Sequence, residues 1–337
     1  MCGISKHKAI ITALFLSIIF KGCSGTQTAG ESSLDKPMLI PEIEGQWWQV
    51  AGNPDLGELT SQKQQPVDFG IWQAADGTWQ LWSCIRHTKC GGQTRLFYRW
   101  EGKNLTDINW KPMGIAMQAE VAFGEQKGGL QAPHVIKIDD TYYMFYGDWN
   151  RICLAKSDGG KTFTRVLNEK GQPDLFTGPY ANTRDPMVLV VDKKYYCYYT
   201  GHLIKENVGA DFCRTSQDMR SWSNPIMVAA GGRAGGTKYS AECPHVVYRQ
   251  DTRLYYLFRT QKYGKNNISS VYASSDPLNF GVNDDRSFIG TLAVAAPEIV
   301  KYNGQYYIAA LLPGLNGIRV AKLKWAEVGK RGKEEEI

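Results

Sequence analysis

Along most of this chain the apolar residues come in short β-rich runs, interrupted by Gly, Asn and Asp, and no stretch sustains the three-to-four spacing of a helix. Strands are expected throughout. Five segments repeat one plan: a proline-marked strand, a short polar turn, then an aromatic-rich strand. The first strands run Pro66 to Trp72, Ala132 to Ile138, Arg184 to Val190, Glu242 to Tyr248 and Ala296 to Tyr302. The aromatic strands that follow run Asp76 to Trp82, Thr141 to Tyr146, Tyr195 to Tyr199, Leu254 to Phe258 and Tyr306 to Ala309. The marker prolines fall at 66, 133, 186, 244 and 297, in steps of 67, 53, 58 and 53.

A period of this size built from strands alone predicts one four-stranded blade per repeat, so the expected fold is an all-β, five-bladed β-propeller. Third strands are expected at 151–156, 211–215, 270–274 and 317–322. The last repeat runs out of chain near Trp325 after three strands. Gln46 to Val50 is expected to supply the fourth and close the ring, removing an exposed sheet edge.

Composition changes this picture little: 337 residues, 43% hydrophobic and 21% charged, suit a folded globular chain and not a disordered or collagenous one. Charge removes one class of function. The formal charge of +6 includes Lys6, Lys8 and Lys21, which lie in a leader without acids, so residues 23 onward carry only +3. The one basic cluster, Lys330, Arg331 and Lys333, is offset by Glu334, Glu335 and Glu336, and nucleic acid is not an expected partner.

The leader has a basic start and an apolar stretch from Ala9 to Phe20, too short to cross a bilayer. Residues 1–22 therefore read as an export signal. Cys23 resembles the lipidated cysteine of bacterial lipoproteins, which implies a periplasmic or cell-surface lipoprotein touching the membrane only through acyl chains; simple cleavage and secretion is the alternative. Residues 23–40 read as a flexible stalk, 41–328 as the propeller and 329–337 as a charged tail. Of the remaining cysteines, Cys84 and Cys90 are expected to form a local disulfide, and Cys153, Cys197, Cys213 and Cys243 to be buried thiols. No C-x-x-C or H-E-x-x-H string announces a metal.

Inner strands of a propeller line its central channel, so ionisable groups at their starts converge. Asp68 lies eight residues before Asp76, Asp185 seven before Asp192 and Glu242 nine before Asp251, which assigns three carboxylates to one structural position in three blades. His134 and Glu298 lie near that place in blades two and five. Confined carboxylates repel and are partly desolvated, which separates their pKa values. One protonated and one ionised carboxylate is what glycosidic cleavage requires, each proton-transfer role being worth about 10²- to 10⁴-fold in rate. His134 is a candidate for binding a hydroxyl, and Phe69 and Trp72 are candidates for stacking on a sugar. Arg86 and Arg259, after aromatic strands, are placed to reach a substrate. By strand alternation Arg184 is expected to point away from Asp185, and His245 to be structural. Asp55, in a Gly-Asn-Pro-Asp-Leu-Gly string, competes with Asp68 for its role but also reads as a turn.

Thr183-Arg-Asp-Pro186 and Ala241-Glu-Cys-Pro244, one blade apart, with an aspartate two blades upstream, resemble the catalytic strings of the five-bladed propeller furanosidases. That clan holds glycoside hydrolase families 43 and 32. The likeness spans about Trp47 to Trp325. It implies a glycoside hydrolase of a plant or algal polysaccharide or oligosaccharide, with Glu242 as general acid, Asp185 tuning it and orienting the sugar, and Asp68 as general base, or as nucleophile if family 32 is followed. The Trp-x-Asn-Asp-Pro-Asn-Gly opening of family 32 is replaced by Gln-Pro-Val-Asp-Phe-Gly, and the appended β-sandwich is lacking, so the expected action is inverting and arabinosidase- or xylosidase-like. A retaining fructosidase-like enzyme and a non-catalytic carbohydrate-binding propeller are the alternatives. Some relatives hold a structural calcium in the central channel; no organic cofactor is expected. Ser157-Asp-Gly-Gly-Lys-Thr-Phe163 resembles the Asp-box of sialidases, a structural turn that implies a propeller and not sialic acid.

Overall fold

The computed structural model describes residues 38–178, 182–203 and 205–327. The leader, Cys23, most of the expected stalk and the charged tail lie outside the described residues. The strands sort into five sheets, each built on four antiparallel strands, and two of them carry one further short strand. Blade one comprises Gln65–Gln73, Trp79–Arg86, Leu96–Gly102 and Lys111–Met117; blade two, Gln131–Ile138, Thr141–Gly147, Arg151–Ser157 and Asp174–Thr177, with Thr164–Arg165 also on its third strand. Blade three comprises Arg184–Val191, Lys194–Leu203, Val208–Ser216 and Ile226–Ala230, with the pair Gly281–Val282 joined to its edge in parallel. Blade four comprises Glu242–Arg249, Leu254–Lys262, Ile268–Ser274 and Phe288–Leu292.

Blade five holds Glu298–Tyr302, Gln305–Leu311 and Gly317–Glu327, and its fourth, outermost strand is Leu39–Gly52, paired antiparallel from Leu39↔Glu327 to Gly52↔Gly317. The inner strands meet in a cycle, one with two, two with three, three with four, four with five and five with one. The fold is a five-bladed β-propeller.

The apolar cores lie between blades, where the aromatic second strands of adjacent sheets face one another. Trp72, Trp82, Phe97, Tyr142 and Tyr146 are buried together between blades one and two, and Phe145, Phe176, Tyr199 and Phe212 between two and three. Each such side chain contributes about 1.5–3 kcal/mol by leaving water, so the aromatic repeat is what clamps the ring.

The prolines proved an imperfect guide to register. Asp68, Ala132, Asp185, Cys243 and Ala296 all adopt positive φ, from 36° to 54°. In blades one to four the ladder slips at that residue, between Val67 and Phe69, Gln131 and His134, Arg184 and Met187, and Glu242 and His245. Each of these four inner strands thus carries one bulge, followed by Phe69, Pro133, Pro186 or Pro244, and in blade five the left-handed Ala296 precedes Pro297 just ahead of a strand that pairs without a slip. Phe69, not Pro66, is the blade-one equivalent of the other marker prolines. Glu242 sits one residue before its bulge while Asp68 and Asp185 sit on theirs, so the three carboxylates come from two structural positions instead of the single one expected.

The expected disulfide is absent: all six cysteines among the described residues are free. The Cys84 thiol is buried and donates to the Leu130 carbonyl at 3.3 Å, while that of Cys90 faces the Arg95 carbonyl at 3.4 Å, so the two sulfurs serve different contacts. The Asp-box lookalike is a turn between outer strands, with Gly160 at φ 75° and its N–H donating to Ser157 Oγ at 2.8 Å.

Candidate active site

The bulges decide which side chains reach the channel mouth. In a regular strand consecutive residues face opposite sides of the sheet, but the left-handed turn at a bulge re-aims its neighbours. Arg184 therefore does not point away from Asp185. Its Nε lies 3.6 Å from Asp185 Oδ2, and its Nη2 donates to Glu242 Oε1 in the next blade. The same device turns Glu242 and Cys243 together. The Cys243 N–H donates to Asp185 Oδ2 at 3.3 Å, and its thiol donates to Asp68 Oδ1 at 3.2 Å while meeting the Tyr263 hydroxyl at 3.2 Å. Arg95 Nη1 approaches Asp68 Oδ2 at 3.8 Å.

Asp68, Asp185 and Glu242 thus line one pocket of about 880 Å³, together with Arg184, Arg86, Arg95, Trp149, Asn182, His202 and Tyr263 and the loop from Ala234 to Tyr239. Their side chains are 12%, 3% and 10% exposed, open to the pocket and little else. Burial pushes Glu242 up to about 7, against the pull of Arg184, and pushes Asp185 up to about 6, again against Arg184 and helped by Asp68. Buried Asp185 Oδ1 has no hydrogen-bond partner among the described residues, leaving a free acceptor. His202 is held down at about 4 by burial and by the charges of Arg184 and Lys238, and is neutral at ordinary pH.

Several expected sugar contacts lie elsewhere. Trp72 is buried between blades, its indole N–H donating to the Gly160 carbonyl at 2.7 Å and its ring packed on Trp82 and Phe163. Phe69 is 3% exposed, part of the core between blades five and one, and touches only a narrow gap on the axis. Arg259 is fully buried, with Nε donating to the Ser240 carbonyl at 2.9 Å and facing Asp211 at 3.8 Å. Alternation turns its side chain into the sheet and not toward the mouth.

His134 and Glu298 sit two residues past the left-handed Ala132 and Ala296, one layer along the channel from the pocket, where His245 joins them. Glu298 Oε2 lies 3.7 Å from His134 Nδ1 and 3.5 Å from His245 Nδ1. Burial acts to raise Glu298, but the two imidazoles outweigh it and hold it at about 2. This trio braces the axis and does not line the pocket. One carboxylate and two imidazoles also match calcium poorly, since that ion takes roughly six to eight oxygens. Among the described residues no group of three or more His, Cys, Asp or Glu is arranged to hold a metal. Asp55 lies in an exposed turn, accepting from the Gly57 N–H and the Thr60 hydroxyl at 2.9 Å each.

Arg86 lines the pocket as its place after an aromatic strand led us to expect, and the walls that sequence reading missed follow the same rule. An antiparallel second strand ends where the inner strand begins, so Arg86, Trp149, His202 and Tyr263 emerge at the same mouth. The signal was available as the residues that directly follow each aromatic run. Arg95 and Asn182 carry no comparable marker.

The family model for the glycosyl hydrolases family 32 N-terminal domain matches residues 75–305. No curated protein matches. Among solved structures, the GH43_1 enzyme from Xanthomonas citri complexed with xylose is similar at 13% identity, with a TM-score of 0.57 over 81% of this chain and 90% of that one. The endo-arabinase from Bacteroides thetaiotaomicron is similar at 14% identity, with a TM-score of 0.57 over 82% and 98%. An endo-1,4-beta-xylanase from the same organism is similar at 13% identity and 0.57, over 80% and 97%.

Proposed function

The chain belongs to the glycosyl hydrolases of family 32, through their N-terminal domain, and from that premise we propose that Asp68, Asp185 and Glu242 cleave a plant or algal polysaccharide or its oligosaccharides with inversion. The observation that carries this reading is the convergence of three carboxylates from blades one, three and four on a single pocket, with burial holding Glu242 near 7. A carboxyl of that kind keeps its proton at mildly acidic pH and donates it to the departing glycosidic oxygen as the bond to the anomeric carbon breaks. Arg184, already bonded to Glu242, stabilises the carboxylate left behind. Asp68 takes the proton of the water that forms the new bond, with the Cys243 thiol and Arg95 on its two oxygens. Asp185, fixed by the Cys243 N–H, offers its free Oδ1 to a sugar hydroxyl.

Inversion is favoured over retention because the family match begins at residue 75, past Asp68, and the family's opening string is replaced there. The segment that would carry a family 32 nucleophile is the one that departs. The fold neighbours include xylan- and arabinan-directed enzymes, and pentose-containing glycans are the proposed first substrates. Incubating the protein with arabinan, xylan and inulin oligosaccharides and following the first-formed anomer by proton NMR tests both points. Wild type should release the inverted anomer, and Glu242→Gln should release none while melting within a few degrees of wild type. Turnover by that variant on an unactivated substrate would remove Glu242 from the mechanism, and a retained anomer would make Asp68 a nucleophile.

A further inference from the structure

The pocket holds more positive charge than its carboxylates account for. Arg95 and Arg184 are spent on Asp68, Asp185 and Glu242. Arg86, Lys238 and Lys262 line the same pocket, and among the described residues none of them forms an ion pair with a carboxylate. They come from three separate places: the end of the blade-one second strand, the loop before blade four, and the end of the blade-four second strand. Lone surface lysines are ordinarily just solvated, and Lys262 by itself would mean nothing. Arg86 is different. It is half-buried, and its Nε and Nη2 both donate to Gln65 Oε1, at 3.0 and 2.7 Å, which fixes the guanidinium and leaves its remaining N–H groups unused. Lys238 is half-buried as well, 5.8 Å from the centre of the Tyr239 ring. A chain of near-neutral balance has therefore gathered a cationic surplus at one mouth, where low-dielectric walls strengthen its field.

We propose that the pocket selects glycans bearing an anionic substituent, a carboxylate or a sulfate ester, on a sugar neighbouring the one whose bond is cleaved. This deepens the hydrolase reading and rests on it. The anion belongs on the neighbouring ring because an anion on the reacting ring would face Asp68 and Asp185, whereas the free cations sit at the strand ends and in the loop around them. A guanidinium held by a glutamine presents a planar fork suited to either oxyanion, with the lysines as point charges beside it.

The test uses the full chain and matched probes: xylo-oligosaccharides with and without glucuronate branches, and galactan oligosaccharides with and without sulfate. Binding is read by calorimetry on Glu242→Gln and turnover on wild type, at 50 and 300 mM salt. The acidic member of at least one pair should be preferred about tenfold or more, with the preference shrinking several-fold at high salt. Arg86→Gln and Lys262→Ala should each lower that acidic-to-neutral ratio by about threefold to tenfold at unchanged melting temperature. The uronate and sulfate pairs separate the two sources of charge. Equal handling of acidic and neutral partners, or a ratio indifferent to salt and to both substitutions, overturns the proposal while leaving the hydrolase intact. Absence of binding and turnover on every probe, neutral ones included, overturns the hydrolase reading and this one with it.

Discussion

Replacing Arg184 by Gln keeps a hydrogen-bond donor beside Glu242 but removes the charge, and the sign of the outcome follows from the pocket. Arg184 favours the ionised form of Glu242, which burial has raised to about 7. Two unit charges about 4 Å apart interact by about 4 kcal/mol at an effective dielectric near 20, equivalent to a shift of about three pKa units at most. Water entering the vacated space and the shared attachment to Asp185 reduce this, so a rise of about one to two units is expected. The acid needs its proton, so the alkaline limb of kcat/KM should move up by that amount when followed from pH 4 to 10 on an unactivated oligosaccharide. An aryl glycoside with a good leaving group serves as control, because its departure does not need the acid and its profile should lack the shifting limb. Stability supplies an independent reading. Arg184 stabilises the fold through Glu242 only where that carboxyl is ionised in the wild type, so the variant should lose more melting temperature at pH 8 than at pH 5, where Glu242 and Asp185 hold protons. An alkaline limb that stays put or moves down, or a melting loss independent of pH, would refute the assignment of Glu242 as the acid tuned by Arg184.

Asp211 is fully buried beside Arg259 with neither carboxyl oxygen hydrogen-bonded, and burial raises it to about 7 despite that arginine. A raised folded-state pKa stabilises at low pH and is lost as pH climbs from about 4 through 7; wild-type melting temperature should fall across that window, and Asp211→Asn should flatten the fall. Cys243→Ala removes the thiol donor on Asp68 and should lower kcat/KM about tenfold, with Cys243→Ser recovering most of it, since a bond to a charged acceptor is worth about 1.5–3 kcal/mol. Equal losses in Ala and Ser would show that the sulfur matters only by its volume. Trp72→Ala should cost about 3–5 kcal/mol of stability through the cavity left between blades, with KM unchanged below the melting range; a raised KM would restore the tryptophan to the sugar site.

What could be seen in the sequence was whatever repeats with the sheet period. The aromatic second strands are near-continuous apolar runs because both their faces are covered by neighbouring blades, so their number gave the blade count. The third strands followed at the predicted places, each expected span lying inside the observed 151–157, 208–216, 268–274 and 317–327. The carboxylates were visible for a related reason, since acids are rare at the start of an otherwise apolar inner strand.

The bulge left no such trace. A left-handed residue can be Asp, Ala or Cys with equal effect on the ladder, and these three occupy the position across the five blades. Counting forward from Asp185 by strict alternation sends Arg184 to the far face, whereas one positive φ brings it onto Glu242. Counting without the bulge also blurs the channel layers, which is how His134 and Glu298 came to be expected at the mouth although they lie one layer along. Trp72 and Arg259 were expected at the sugar for a different reason: nearness in sequence to a candidate acid or to a strand end says nothing about side-chain parity, and both turn into the packing between strands and blades. The left-handed conformation is unfavourable for Ala and Cys, by about 1–3 kcal/mol where it is strained, yet it recurs in every blade. A conformation repeated at that cost lets adjacent residues on one strand share a single mouth, and it is this geometry that allows Glu242, Cys243, Arg184 and Asp185, two neighbouring pairs on two strands, to be assembled around one bond.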